Sequence, residues 1–104
     1  MQHISPVQLK AQLDAGLPIQ LVDVREQHEH EAFNIGGELI PLSALFEQHS
    51  KIARDKPVVV YCKMGIRSQI AIQRLQDKFN FTHLINLQGG MEAWKRTTDA
   101  DSSS

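Results

Sequence analysis

The stretch Pro57-Val-Val-Val-Tyr61-Cys62-Lys-Met-Gly65-Ile-Arg67-Ser-Gln-Ile-Ala71-Ile-Gln-Arg-Leu75-Gln76 decides how this chain is read. Pro57 to Tyr61 has the character of a buried strand: a short β-branched run between a proline and a glycine-containing loop. A helix opens near Arg67 and continues to about Phe79. On a wheel of about 100° per residue, Ala71, Ile72, Leu75 and Phe79 share one stripe, with Gln69, Gln73, Gln76 and Asp77 opposite. Ile66 and Ile70 fall off that stripe, beside the loop. Strand, short loop and amphipathic helix in succession form the unit of an open parallel sheet. In such sheets chemistry is expected at the carboxyl ends of strands, near helix N-termini.

Upstream, Ser5 can cap a helix that starts at Pro6, and Gln8 stands where a capping box needs it. Leu9 and Leu13 share a face and Gly16 suits the stop, so this helix spans about Pro6 to Ala15. Pro18 breaks the pattern. Ile19-Gln-Leu-Val-Asp23 then reads as a strand, with Arg25 just past its carboxyl end. Glu26 to Ala32 is polar and helix-tolerant, about two turns. Gly36-Gly37 marks a turn, Glu38 to Leu42 a short strand closed by Pro41, and Ser43 a cap for a helix carrying Leu45 and Phe46. Lys51 to Lys56 is a basic, loop-like approach to the strand at Val58. Downstream, Asn80 ends the long helix and Leu84 to Leu87 forms the last strand. Gly89-Gly90 then turns into a short helix bearing Trp94, a core or lid residue. Thr97 to Ser104 is expected to be a disordered polar tail, leaving residues 1–96 as one domain. This alternation predicts an α/β domain with a mainly parallel sheet.

At 104 residues the chain can bury roughly two-thirds of its unfolded surface as a single domain. Hydrophobic residues at 41% and charged residues at 22% are ordinary for a globular protein. A net charge of −1 gives no basic footprint for nucleic acid or a membrane surface. No apolar run approaches roughly 18 residues, and no signal peptide opens the chain. The single cysteine excludes an internal disulfide and fits a reducing compartment, so the expectation is cytoplasmic.

That cysteine, Cys62, stands where the strand hands over to the loop. A free cysteine is often only a small buried hydrophobe. Here free backbone N–H groups and the positive end of a helix dipole would favour a thiolate, so a reactive thiol is the preferred reading. His28 and His30, two residues apart among glutamates, fall on different helix faces and have no thiol beside them, so a solvated acidic face is expected rather than a metal site. His3, His49 and His83 are isolated. No histidine is placed by sequence as a base for Cys62.

Cys62-Lys-Met-Gly-Ile-Arg67-Ser68 resembles the C-x4-R-S active-site loop of rhodanese-like sulfurtransferases. Val22-Asp23-Val24-Arg25-Glu26 resembles that family's first signature, and Leu87-Gln-Gly89-Gly90-Met-Glu-Ala-Trp94 its closing G-G-x-x-x-W element. The three come in the family's order, over about Ile4 to Lys95. The resemblance implies a three-layer rhodanese-like fold with a five-stranded, mainly parallel sheet flanked by helices. It also implies that Cys62 takes sulfane sulfur from a donor such as thiosulfate or a protein persulfide, carries it as a persulfide, and passes it to a thiophilic acceptor. Lys63, Met64, Gly65, Ile66, Arg67 and Ser68 would form the substrate-binding loop. Within it, Gly65 lets the chain curl, and Arg67 attracts an anionic donor. Asp23 and Arg25 would support the loop from the neighbouring strand end. Lys63 adds positive charge or is simply solvated. No cofactor and no metal are implied.

Four residues between Cys62 and Arg67 favour sulfur. The related phosphatases resemble C-x5-R, whose longer loop admits a tetrahedral phosphate. The segment Phe33-Asn-Ile-Gly-Gly-Glu-Leu-Ile-Pro-Leu42 departs from the family's G-H-I-P-G-A. It resembles instead the rhodanese domain at the C-terminus of adenylyltransferases in molybdopterin and thiamine biosynthesis. That likeness implies a ubiquitin-like sulfur-carrier protein or an adenylyltransferase as partner. Ile66 and Ile70, which the wheel puts off the core stripe, are candidate contacts for a protein acceptor or else simply pack beside the loop. No G-x-G-x-x-G follows a strand, so the chain is expected to be either an excised C-terminal domain or a stand-alone relative. A non-catalytic binding or regulatory domain of the same fold is the alternative.

Overall fold

A computed structural model of the chain describes the backbone of residues 1–102 and the side chains of residues 1–97. Ser5 starts the first helix, α1 (Pro6–Asp14), through a reciprocal capping box. Its Oγ accepts from the Gln8 N–H at 3.1 Å, and the Gln8 side chain accepts from the Ser5 N–H at 3.0 Å. Before it lies β1 (Gln2–Ile4), a strand absent from the sequence reading. Three residues, two of them polar, carry no alternation to read. They pair because the last strand of the sheet offers an open edge.

The remaining elements are β2 (Gln20–Asp23), α2 (Gln27–Ala32), β3 (Glu38–Leu39), α3 (Leu45–Gln48), β4 (Val58–Tyr61), α4 (Ile66–Phe79), β5 (Leu84–Leu87) and α5 (Gly90–Ser102). The five strands lie in the order β1-β5-β4-β2-β3, and every neighbouring pair is parallel. The chain steps outward from β2 to β3, then crosses back to β4. The winding therefore reverses between β2 and β4, where an open α/β sheet leaves a crevice at its carboxyl end. Register pairs Asp23 with Tyr61, which puts Cys62 and Arg25 just beyond adjacent strand ends.

Alternate residues of the strands feed two apolar layers. Val22, Val58 and Val60 pack with Leu45 of α3 and Ala71, Ile72 and Leu75 of α4. Val59, Tyr61 and Leu87 pack on the other face with Leu9 of α1 and Met91 of α5, and Trp94 lies against them. Of the α4 stripe read from the wheel, Ala71, Ile72 and Leu75 are buried and Phe79 partly so, while Ile66 and Ile70 are exposed. Asn80, in the left-handed region at φ 59°, ends α4.

Three boundaries differ from expectation. β3 stops at Leu39, because Pro41 lacks the N–H to continue the ladder and leads into a 3-10 turn, Leu42–Ala44. Ser43 lies inside that turn and caps nothing. The final helix runs past residue 96, into the segment expected as a tail, as far as Ser102, since no glycine or proline interrupts it after Gly90. Ser103 and Ser104 lie outside the described residues. Among the described residues, no helix is long and apolar enough to cross a membrane.

Candidate active site

Cys62 is 1% exposed, at the carboxyl end of the central strand. Its Sγ accepts the backbone N–H of Gly65 at 3.1 Å and of Ser68 at 3.3 Å, and the Ser68 Oγ lies at 3.4 Å. Ser68 stands in the first turn of α4, where helical N–H groups have no intrahelical acceptor. Gly65 reaches φ 94°, which turns the loop back on the sulfur. Hydrogen bonds of this kind to a charged acceptor stabilise it by about 1.5–3 kcal/mol each. The cradle favours negative charge on sulfur.

A second helix N-terminus holds the loop from behind. The N–H groups of Met91 and Glu92, opening α5, donate to the carbonyls of Cys62 (2.8 Å) and Lys63 (3.0 Å). This approach needs Gly90, at φ 59°, because a Cβ there would run into the Cys62 and Lys63 carbonyl oxygens. The closing G-G-x-x-x-W element thus fastens the loop through backbone, with Trp94 anchoring α5 on the sheet.

Arg67 meets Glu29 of α2 side-on, Nη1 to Oε1 at 2.9 Å and Nη2 to Oε2 at 3.0 Å. The Arg67 guanidinium pulls the Glu29 carboxyl down from 4.5 to about 2, against the opposing effect of burial. The loop arginine expected to attract an anion is therefore already matched by a carboxylate.

Asp23 and Arg25 are buried and make no contact with sulfur. Asp23 Oδ1 accepts from the Arg25 backbone N–H (3.0 Å) and Nε (2.9 Å), and Oδ2 accepts from Nη2 (2.8 Å). Arg25 Nη2 also donates to the Phe33 carbonyl, and His30 Nδ1 lies 2.9 Å from Asp23 Oδ2. The pair ties the end of β2 to the C-terminal part of α2, the helix that carries Glu29. Their route to the loop is indirect.

Glu29 and His30 are thus not part of a solvated face, as sequence reading had it. Both turn inward, while His28 remains exposed. Asn86 of β5 is a further residue the sequence did not reveal. It is 1% exposed, its Oδ1 accepts from the Ser68 hydroxyl at 2.5 Å, and its Nδ2 lies 3.1 Å from His3 Nδ1. The available signal was weak: a polar residue at an inward position of an apolar strand.

The mouth over Cys62 is a cavity of 250 Å³ lined by Cys62, Lys63, Met64, Ile66 and Arg67. Met64 and Ile66 are 55% and 63% exposed at its rim. Lys63 also borders a larger cleft of 610 Å³ between α2 and α5, whose walls include Arg25, Phe33, Lys95 and Arg96.

The family described as Rhodanese-like domain matches residues 5–97. The chain is 37% identical over 101 residues to the probable adenylyltransferase/sulfurtransferase MoeZ of Mycobacterium tuberculosis, covering 94% of this chain and 26% of MoeZ. It is 38% identical over 87 residues to the thiosulfate sulfurtransferase GlpE of Coxiella burnetii, covering 80% of each. The crystal structure of a rhodanese-like domain protein from Staphylococcus aureus superposes with a TM-score of 0.83 at 29% identity, covering 90% of this chain and 91% of that one. The chain spans about a quarter of the length of MoeZ and four-fifths of GlpE.

Proposed function

The chain belongs to the rhodanese-like domain family, and from that membership and the cradle around Cys62 we propose that it is a sulfurtransferase carrying sulfane sulfur as a persulfide on Cys62. The observation that carries this reading is the pair of backbone N–H groups converging on the sulfur from within a four-residue C-x4-R loop. With thiosulfate as donor, the Cys62 thiolate attacks the outer sulfur. A new S–S bond forms, the old one breaks, and sulfite leaves with its electron pair. The terminal sulfur keeps a negative charge, which the loop's N–H groups are suited to hold. A nucleophilic acceptor then attacks that sulfur and Cys62 departs as thiolate.

The likeness to GlpE supports thiosulfate as a donor, and the likeness to the adenylyltransferase/sulfurtransferase MoeZ supports an adenylyltransferase as partner. A sulfur-carrier protein as acceptor, within molybdopterin or thiamine sulfur supply, is part of the same proposal. A cytoplasmic setting suits a catalytic free thiol. The apolar rim at Met64 and Ile66 is of use to a protein acceptor and of none to a small anion.

Turnover of thiosulfate with cyanide as acceptor tests the assignment. Thiocyanate should form with the wild type and not with Cys62→Ala. Equal rates for the two proteins would overturn it. No turnover with any donor, together with equal partner binding by both, would favour the non-catalytic binding domain.

A further inference from the structure

The chain of contacts His3–Asn86–Ser68–Cys62 crosses the sheet from its edge to the sulfur, and the hydrogens along it do not add up for a thiolate. His3 and Asn86 are register partners on β1 and β5, so their side chains share the face covered by α4. Ser68 has one hydroxyl hydrogen. With Asn86 Oδ1 at 2.5 Å, that hydrogen points to Asn86, and Ser68 offers Sγ only a lone pair. This arrangement suits a thiol, whose S–H can donate to Ser68 Oγ across 3.4 Å. It turns a lone pair towards a thiolate or a persulfide anion.

Rotating the Asn86 amide by half a turn reverses the chain without moving a heavy atom by more than the exchange of O and N. Nδ2 then donates to Ser68 Oγ, and the hydroxyl hydrogen is released to sulfur as a third donor beside the N–H groups of Gly65 and Ser68. Oδ1 now faces His3 Nδ1. In the first arrangement Nδ1 accepts from Asn86 Nδ2, and in the second it must carry a hydrogen. A neutral imidazole satisfies either demand by changing tautomer, and His3 is exposed to the solvent that allows the change. Asn86 and Ser68 are both buried, so an amide without such a partner would leave a polar group unpaired in one of the two states. On this side Arg74 of α4 borders a shallow cavity with Gln69, Ile70 and Gln73, while Lys63 and Arg67, the latter paired with Glu29, share the mouth with the sulfur.

We propose that Asn86, seated by His3, is a positioning residue for the Cys62 sulfur: the orientation of its amide sets whether the Ser68 hydroxyl points away from the sulfur or towards it. No proton travels along the chain. The thiol proton leaves to solvent, and only the direction of the hydrogen bonds changes. The inference rests on the reading of Cys62 as the nucleophile.

The test is the rate of Cys62 alkylation by iodoacetamide in the full chain, followed across the thiol titration range. Asn86→Leu removes the competing acceptor and leaves the hydroxyl to sulfur, so half-maximal alkylation should move to lower pH. Asn86→Asp, an acceptor only, holds the hydroxyl away and also adds a negative charge, so half-maximal alkylation should move to higher pH with the neutral-pH rate down about tenfold, and the part of that shift owed to the hydroxyl should disappear in a Ser68→Ala background. In a Ser68→Ala background the Asn86→Leu shift should vanish. Shifts of the same sign in both Asn86 variants, or an Asn86→Leu shift that survives in full without the Ser68 hydroxyl, would overturn the proposal. If Asn86→Asp does not fold, the Leu and Ser68→Ala cycle decides alone. Alkylation reads the thiol and not sulfur transfer. A wild type that alkylates readily yet takes no sulfane sulfur would reject the sulfurtransferase reading and leave the role of Asn86 standing.

Discussion

Glu29 carries the clearest consequence at the scale of single residues. Its bidentate bond to Arg67 offsets the positive charge that a loop arginine would otherwise present to an anionic donor. Glu29→Gln should therefore lower the KM for thiosulfate about three- to tenfold, and an unchanged or raised KM would count against this balance. The same pair has a pH signature. In the unfolded chain Glu29 takes up its proton near 4.5, whereas in the folded chain it does so at about 2. A depressed folded value means that the contribution to stability is complete above about 4.5 and is lost as pH falls towards 2. Thermal unfolding of wild type and Glu29→Gln should differ most above that interval and converge within it. A gap that stays constant would contradict the assignment. None of this pairing was legible in sequence, because 38 residues separate its partners and Glu29 looked like one charge among several on a polar helix. Cys62, Gly65 and Ser68 were legible, since their geometry is local to one strand, one loop and one helix turn.

Helix starts organise the site at the scale of elements. The N-terminus of α4 faces the sulfur, and that of α5 faces the carbonyls on the outer side of the same loop. Gly90→Ala would place a Cβ against those carbonyls in a left-handed backbone, so it should cost at least about 1–3 kcal/mol of stability. It should also slow sulfur loading, because the loop must shift to make room. Loading at the wild-type rate in a folded Gly90→Ala protein would separate α5 from the loop's geometry. The order of these elements followed from periodicity and from capping residues such as Ser5. The ends of β3 and α5 and the existence of β1 did not. β1 is an edge strand specified by its neighbour, and its own three residues favour nothing in particular.

At the scale of the whole molecule, the apolar layer that holds α4 on the sheet runs up to the site and ends there on Cys62. Leu75, fully buried between α4 and the sheet, belongs to the apolar layer that also takes in Cys62, and it stands two helical turns beyond Ser68. Leu75→Ala should destabilise the domain by about 2–5 kcal/mol, seen as a lower unfolding temperature. Sulfur loading per folded molecule should be unchanged at a temperature where the variant is native. The parallel order β1-β5-β4-β2-β3 puts Cys62 at the carboxyl end of the central strand, in the crevice where the winding reverses, so the topology brings one thiol to the place where two helix dipoles and two elements of loop support converge. On this reading the Cys62 thiol accepts sulfane sulfur. The most direct test is the intact mass of the full chain after incubation with thiosulfate and removal of excess donor. The wild type should gain one sulfur atom, a gain reversed by cyanide and absent in Cys62→Ala. A wild type whose mass is unchanged after both thiosulfate and a persulfide donor would contradict it.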